Sequence, residues 1–228
     1  MKYAPAVGVK FEKNGQVKEF KGNTFLCHIS TNETQLLAEI KWGQDQLKAM
    51  KCAYKFAFLP ITSMHMTVFE GVCENIRQQP LWTNKLSLDA PLSAVTDLFI
   101  NELTSMPRLG YFEMDFHSIY NCPIGGTAIR IKPATAASRE SLWQCRTLLS
   151  QATGIKHPNH DDYHFHISLS YRIIELDEHD KTEILVTTDR ITERLSAKFG
   201  RFNHGPVEFC HFNDMFKYSP LTVLDSGY

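Results

Sequence analysis

The stretch Ser63-Met64-His65-Met66-Thr67-Val68-Phe69-Glu70-Gly71-Val72 decides how this chain is read. It is rich in aromatic and β-branched residues, the mark of a strand. Successive strand side chains point to opposite faces, so His65 and Thr67 share one face while Met66 and Val68 share the other. A hundred residues on, His166-Ile167-Ser168-Leu169 repeats the arrangement inside a second predicted strand. Each motif buries an apolar pair and presents an imidazole with a hydroxyl on the opposite face.

Chance does not readily supply this pair. With 10 histidines in 228 residues, about 1.4 matches to His-x-Ser/Thr are expected, and requiring apolar residues at both flanking positions lowers that to about 0.25. Two such matches occur; a third His-x-Ser, His28-Ile29-Ser30, is followed by the polar Thr31.

Outward from the motifs, strands alternate with helices. Residues 23–30, 54–60, 63–72, 112–120, 127–133, 166–173 and 206–214 read as strands. Helices are expected from a Ser30/Glu33 capping box to Met50, from Asp89-Ala90-Pro91 to about Met106, over residues 138–153, and from Asp177 to Phe199. An Asn-Cys-Pro-Ile-Gly-Gly turn joins the strands at 112–120 and 127–133. Strands come in hairpins with helices between the pairs, an α+β pattern with antiparallel sheets flanked by helices. The order falls loosely into two halves. No linker or low-complexity segment divides residues 1–228, so one domain is expected.

Composition narrows the function classes. Lys plus Arg total 24 against 25 Asp plus Glu, a net charge of −1 that argues against duplex DNA as partner. No apolar run approaches a membrane span, and the first residues carry no secretory signal, so a cytoplasmic protein is expected. The six cysteines are scattered without a C-x-x-C pair and read as buried thiols of a reducing compartment. Nucleotide-binding glycine loops, the nucleophile elbow and H-E-x-x-H are absent.

Two imidazoles on either side of a phosphorus allow metal-free phosphodiester cleavage, one taking a proton from water and the other giving one to the leaving oxygen. A hydroxyl two residues along the same strand can donate to a non-bridging oxygen where transition-state charge gathers. These residues resemble the 2H phosphoesterase superfamily, the LigT-like proteins, whose hallmark is two His-x-Thr/Ser-x motifs in the two lobes of a pseudo-symmetric α+β fold. Its members include RNA 2′,3′-cyclic phosphodiesterases, 2′,5′-phosphodiesterases and ligases, and enzymes acting on ADP-ribose 1″,2″-cyclic phosphate. The Phe20-Lys21-Gly22-Asn23-Thr24 run looks like a less characterised branch. The resemblance implies a groove between lobes, with His65 and His166 as general acid and base and Thr67 and Ser168 as phosphate holders. It implies no cofactor and no metal, and a cyclic phosphodiester of a nucleotide or RNA end as substrate.

Other residues are candidates by position. Arg130 would reach a phosphate if its face of residues 127–132 is concave. Alternation places Arg172 on the histidine face and Tyr171 with the core, and Tyr163 or Phe69 could stack a base. Two rival readings stand: a metal-dependent hydrolase in which His164 and His166 ligate a metal with His157, His160 or a carboxylate completing the shell, and a nucleotide- or RNA-binding module without turnover.

Overall fold

The computed structural model describes residues 2–107, 109–122 and 125–224. In chain order the elements are β1 (Gly22–His28), α1 (Thr34–Lys48), β2 (Phe56–Phe58), β3 (His65–Cys73), α2 (Leu92–Leu103), β4 (Phe112–Asn121), β5 (Thr127–Pro133), α3 (Ala136–Thr153), β6 (His166–Ser168), β7 (Ser170–Arg172), α4 (Glu178–Lys198), β8 (Arg201–His204), β9 (Val207–Asp214) and β10 (Lys217–Leu224). The fold is α+β. One antiparallel sheet runs β10-β9-β1-β3-β6-β5-β4-β8, and β2 pairs with β7 in a separate ribbon. No helix among the described residues is long and apolar enough to cross a membrane.

The sheet curls. Strand β8 lies at one edge, yet only Gly205 and Pro206 separate it from β9, next to the other edge. Three residue steps reach at most about 11 Å, so the two edges must approach one another. Leu109 N–H also donates to the Leu224 carbonyl at 3.3 Å, tying the entry to β4 onto β10. On the β3 side of the β3–β6 seam the C-terminal strands β9 and β10 join β1 and β3, so the two sides of the sheet differ from the two halves of the chain.

Helices dress this sheet in pairs that cross the halves, α1 against α4 and α2 against α3. Arg194 of α4 donates from Nε and Nη2 to the Glu39 carboxylate of α1, at 2.7 and 3.0 Å. Phe99 of α2 packs against Phe25 and Phe209, whose rings stack 4.7 Å apart, in an apolar core that water does not reach. Gln44 of α1 is fully buried and donates to the Leu59 and Leu169 carbonyls at 2.8 and 3.0 Å, which satisfies its amide where the β2–β7 ribbon splits away.

Several expectations change. Helix α1 starts at Thr34 with no side-chain cap, because Ser30 Oγ instead accepts from Asn32 N–H; the Ser30/Glu33 box does not form. A capping box does form at α4, between Asp177 and Asp180. Strands β8 and β10 were not expected: β8 is four residues long, and β10 carries Pro220, which an edge strand tolerates. Pro123 and Ile124 of the anticipated turn lie outside the described residues.

Candidate active site

Strands β3 and β6 are neighbours at the centre of the sheet, with Met66 opposite Ile167. One step either way sets His65 opposite Ser168 and Thr67 opposite His166. Directly opposed residues of an antiparallel pair share a face, so all four polar side chains stand on one face, related by a local two-fold through the Met66–Ile167 pair. Met66 and Ile167 themselves are fully buried beneath. His65, Thr67, His166 and Ser168 line one cavity of about 400 Å³.

Both imidazoles are held alike. His65 Nδ1 lies 2.7 Å from the Ser63 carbonyl, and His166 Nδ1 lies 2.8 Å from the His164 carbonyl. A carbonyl only accepts, so each Nδ1 carries the proton and donates, leaving Nε2 for the cavity. This main-chain clamp, two residues before each histidine, has no side-chain signature and could not be read from sequence.

A β-bulge sets the far end of β3. Phe25 pairs with Phe69 and Leu26 with Thr67, so Val68 is the extra residue. The alternation slips there. Val68 and Phe69 both turn into the core, Phe69 fully buried, and Glu70 returns to the cavity. The Val68 carbonyl is taken at 2.5 Å by Nη1 of Arg146, a fully buried residue of α3 that also stacks over Tyr163 at 4.2 Å. Burial lowers the Arg146 pKa. Phe69 is therefore no platform for a base. Gly71 is required beside the bulge, since a Cβ would lie 2.1 Å from Asn23 Oδ1, the acceptor for Val72 N–H.

A second slip follows the other motif. Leu169 N–H donates to the Thr127 carbonyl while its own carbonyl accepts from Leu59 N–H, so the chain changes partner from β5 to β2. Tyr171 then lines the cavity, and Arg172 is buried near Glu175, the reverse of the alternation expected from sequence. Gly126 permits the close approach, its hypothetical Cβ falling 1.9 Å from the Ser170 carbonyl.

The walls differ at the two ends. Over His65, the ring of Tyr218 lies 4.3 Å away, contributed by the unforeseen strand β10. Phe20, Tyr171 and Phe212 extend this aromatic wall, and Lys10 Nζ sits 5.0 Å from the rings of both Phe20 and Tyr171. His28 stands edge-on to His65 at 6.2 Å and is hydrogen-bonded through Nδ1 to Glu208. Burial pushes the His65 pKa down to about 4, helped by neighbouring His28 and His166 and opposed by the bond to Ser63. His65 is thus a neutral imidazole at pH 7. Burial likewise lowers His204, on β8, to about 3.

Arg130 lies opposite His166 across β5–β6, on the histidine face as its candidacy required. Its guanidinium stacks over Tyr120 at 4.4 Å and lines the neighbouring cleft rather than the cavity itself. Tyr163 is buried and lines both.

The histidines of residues 157–166 do not converge. His157 Nε2 meets the Glu70 carbonyl at 2.8 Å, buried His160 packs on Phe69, His164 opens to the neighbouring cleft, and His166 faces the cavity. Among the described residues, the one group of three or more metal-capable side chains with donor atoms close together is His28, Glu208 and Cys210, within 4.8 Å of one another.

A family described as 2H-phosphodiest, domain of unknown function (DUF1868), matches residues 10–122. Among solved structures, the conserved protein of unknown function ATU0111 from Agrobacterium tumefaciens str. C58 is similar at 32% identity and a TM-score of 0.91, over 99% of this chain and 94% of that one. TT0787 of Thermus thermophilus is 11% identical with a TM-score of 0.49, over 90% of this chain and 99% of that one, a likeness too weak to argue from. No curated protein matches the sequence.

Proposed function

The chain belongs to the 2H phosphoesterase superfamily, a phosphodiesterase-type family, and on that premise we propose that it opens a cyclic phosphodiester, the 2′,3′-cyclic phosphate of a nucleotide or RNA end. The observation that carries this is the placement of two Nδ1-clamped imidazoles and two hydroxyls on one face across the β3–β6 seam.

His65, neutral at pH 7, is the general base. Its Nε2 takes a proton from water as the water oxygen attacks phosphorus. His166, protonated at Nε2, gives that proton to the ribose oxygen as its bond to phosphorus breaks, leaving a phosphate monoester and a free hydroxyl. Thr67 and Ser168 donate to the non-bridging oxygens, which gather charge in the transition state. The aromatic wall of Phe20, Tyr171, Phe212 and Tyr218 offers faces for a nucleobase. Both proton transfers run between imidazole and oxygen, so the reaction needs no metal step.

The test is turnover of a panel of 2′,3′-cyclic nucleotides in EDTA, beside His65→Ala and His166→Ala. The proposal expects activity that survives chelation and falls about 10²–10⁴-fold in each variant. Binding without turnover would make the chain a nucleotide-binding module, and activity restored only by added metal would overturn the two-histidine mechanism.

A further inference from the structure

Beyond His166 the histidine face continues into a cleft of about 610 Å³, large enough for a nucleotide-sized group. Arg130 and Lys132 of β5 enter it from one strand face, His117 and His164 flank them, and Arg139 and Trp143 of α3 form the opposite wall. No carboxylate lines it among the described residues. In a chain with net charge −1, three Arg and Lys side chains around one cleft are a local concentration of positive potential.

Those cations are not consumed by internal ion pairs, Arg130 being stacked on the neutral ring of Tyr120. None of Arg130, Lys132 and Arg139 makes a salt bridge within the described residues, and buried Arg130 Nε has no hydrogen-bond partner there. Asp115, opposite Lys132, is already held by Arg201 through two contacts of 3.0 and 3.1 Å. Glu140 lies on a shallower flank that Arg139 and Trp143 also border. The cleft and the cavity are continuous in residues, through Tyr163 lining both and Arg130 opposite His166.

We propose that this cleft holds the flanking phosphates of an oligonucleotide whose cyclic end sits between the histidines, with Trp143 as a face for a flanking base. The inference rests on the proposed reaction and extends it, making the preferred substrate an RNA end with further nucleotides attached rather than a free cyclic nucleotide. Phosphate contacts by Arg and Lys are salt-dependent and largely independent of sequence, and aromatic stacking is tolerant of base identity.

Lys132 and Arg139 are exposed, outside the cavity and outside the proton-transfer machinery, so Lys132→Glu with Arg139→Glu tests the cleft alone. One arm compares kcat/KM for a mononucleotide 2′,3′-cyclic phosphate and a trinucleotide bearing the same end. The other measures anisotropy of a fluorescent trinucleotide with an unreactive 3′-phosphate across a salt series. The expected result is wild-type preference for the trinucleotide by about tenfold or more. The double variant should lose that preference, keep its mononucleotide rate, and show a salt slope about 2 smaller. Equal rates on both substrates, or trinucleotide binding untouched by the double variant, would overturn the cleft. Variant-sensitive binding without any turnover would uphold the cleft and fail the reaction instead.

Discussion

His65 and His166 each donate Nδ1–H to the carbonyl two residues earlier, yet His65 lies under Tyr218 beside His28, while His166 opens toward Arg130 and the cationic cleft. The motif residues and their clamps are nearly interchangeable by the local two-fold. What separates the ends is supplied by elements remote in sequence: β10 and the segment around Lys10 at one end, β5 and α3 at the other. The lesson is that a repeated motif sets tautomer and aim, and that in the proposed reaction the surroundings assign the roles.

The largest test of that assignment uses the leaving group. Each single alanine variant should lose about 10²–10⁴-fold on a cyclic nucleotide, with the double variant little worse than either. On a p-nitrophenyl phosphodiester, whose leaving group needs no proton, His166→Ala should recover most of its rate and His65→Ala should not. The opposite recovery would exchange the two roles.

Stability probes the shared seam. Met66→Ala and Ile167→Ala each open a cavity under the motifs and should cost about 2–5 kcal/mol in denaturant unfolding. Costs near zero would mean the two strands are not packed as one unit. Gly71→Ala should also destabilise, by about 1–3 kcal/mol, because its Cβ meets both the side chain and the carbonyl of Asn23.

Acidity probes the unshared surroundings. If His65 is the base, the acid limb of kcat/KM should lie near its depressed pKa of about 4 rather than near the ordinary 6.5. Tyr218→Ala uncovers the ring and should move that limb upward with a rate loss of less than about tenfold. A limb that stays put would detach the burial of His65 from Tyr218.

The sign for stability follows from the same lowering. Unfolded His65 and His204 protonate near 6.5, whereas the folded protein resists until about 4 and about 3. Their contribution is present above 6.5 and lost as pH falls through that window. The thermal midpoint should drop between pH 7 and pH 4.5, and a flat midpoint would contradict the lowered pKa of both rings.

Much of this site was legible beforehand because it rests on strand alternation, a local property. His65 with Thr67 and His166 with Ser168 share a face for that reason alone, and Met66 and Ile167 are buried for the same one. The alternation also failed in two places, at Val68 and at Leu169, where strands change register or partner. Both slips depend on contacts remote in sequence, Arg146 with the Val68 carbonyl and Leu59 with Leu169, and no local pattern announces them. Tyr218 was missed because the curl of the sheet, rather than any motif, brings β10 over His65, and Lys10 because it precedes every strand and helix read from the sequence.

Fixing both Nδ1 protons on main-chain carbonyls has a consequence for the catalytic cycle. In the proposed reaction His65 would end one hydrolysis holding the proton taken from water and His166 would have lost its own, so the free enzyme would emerge as a different protonic isomer from the one that bound substrate. Restoring it would require exchange with solvent at Nε2 of each ring, the very nitrogens that a bound product would cover. Recharging would therefore follow product departure, as a separate step that buffer acids and bases would accelerate.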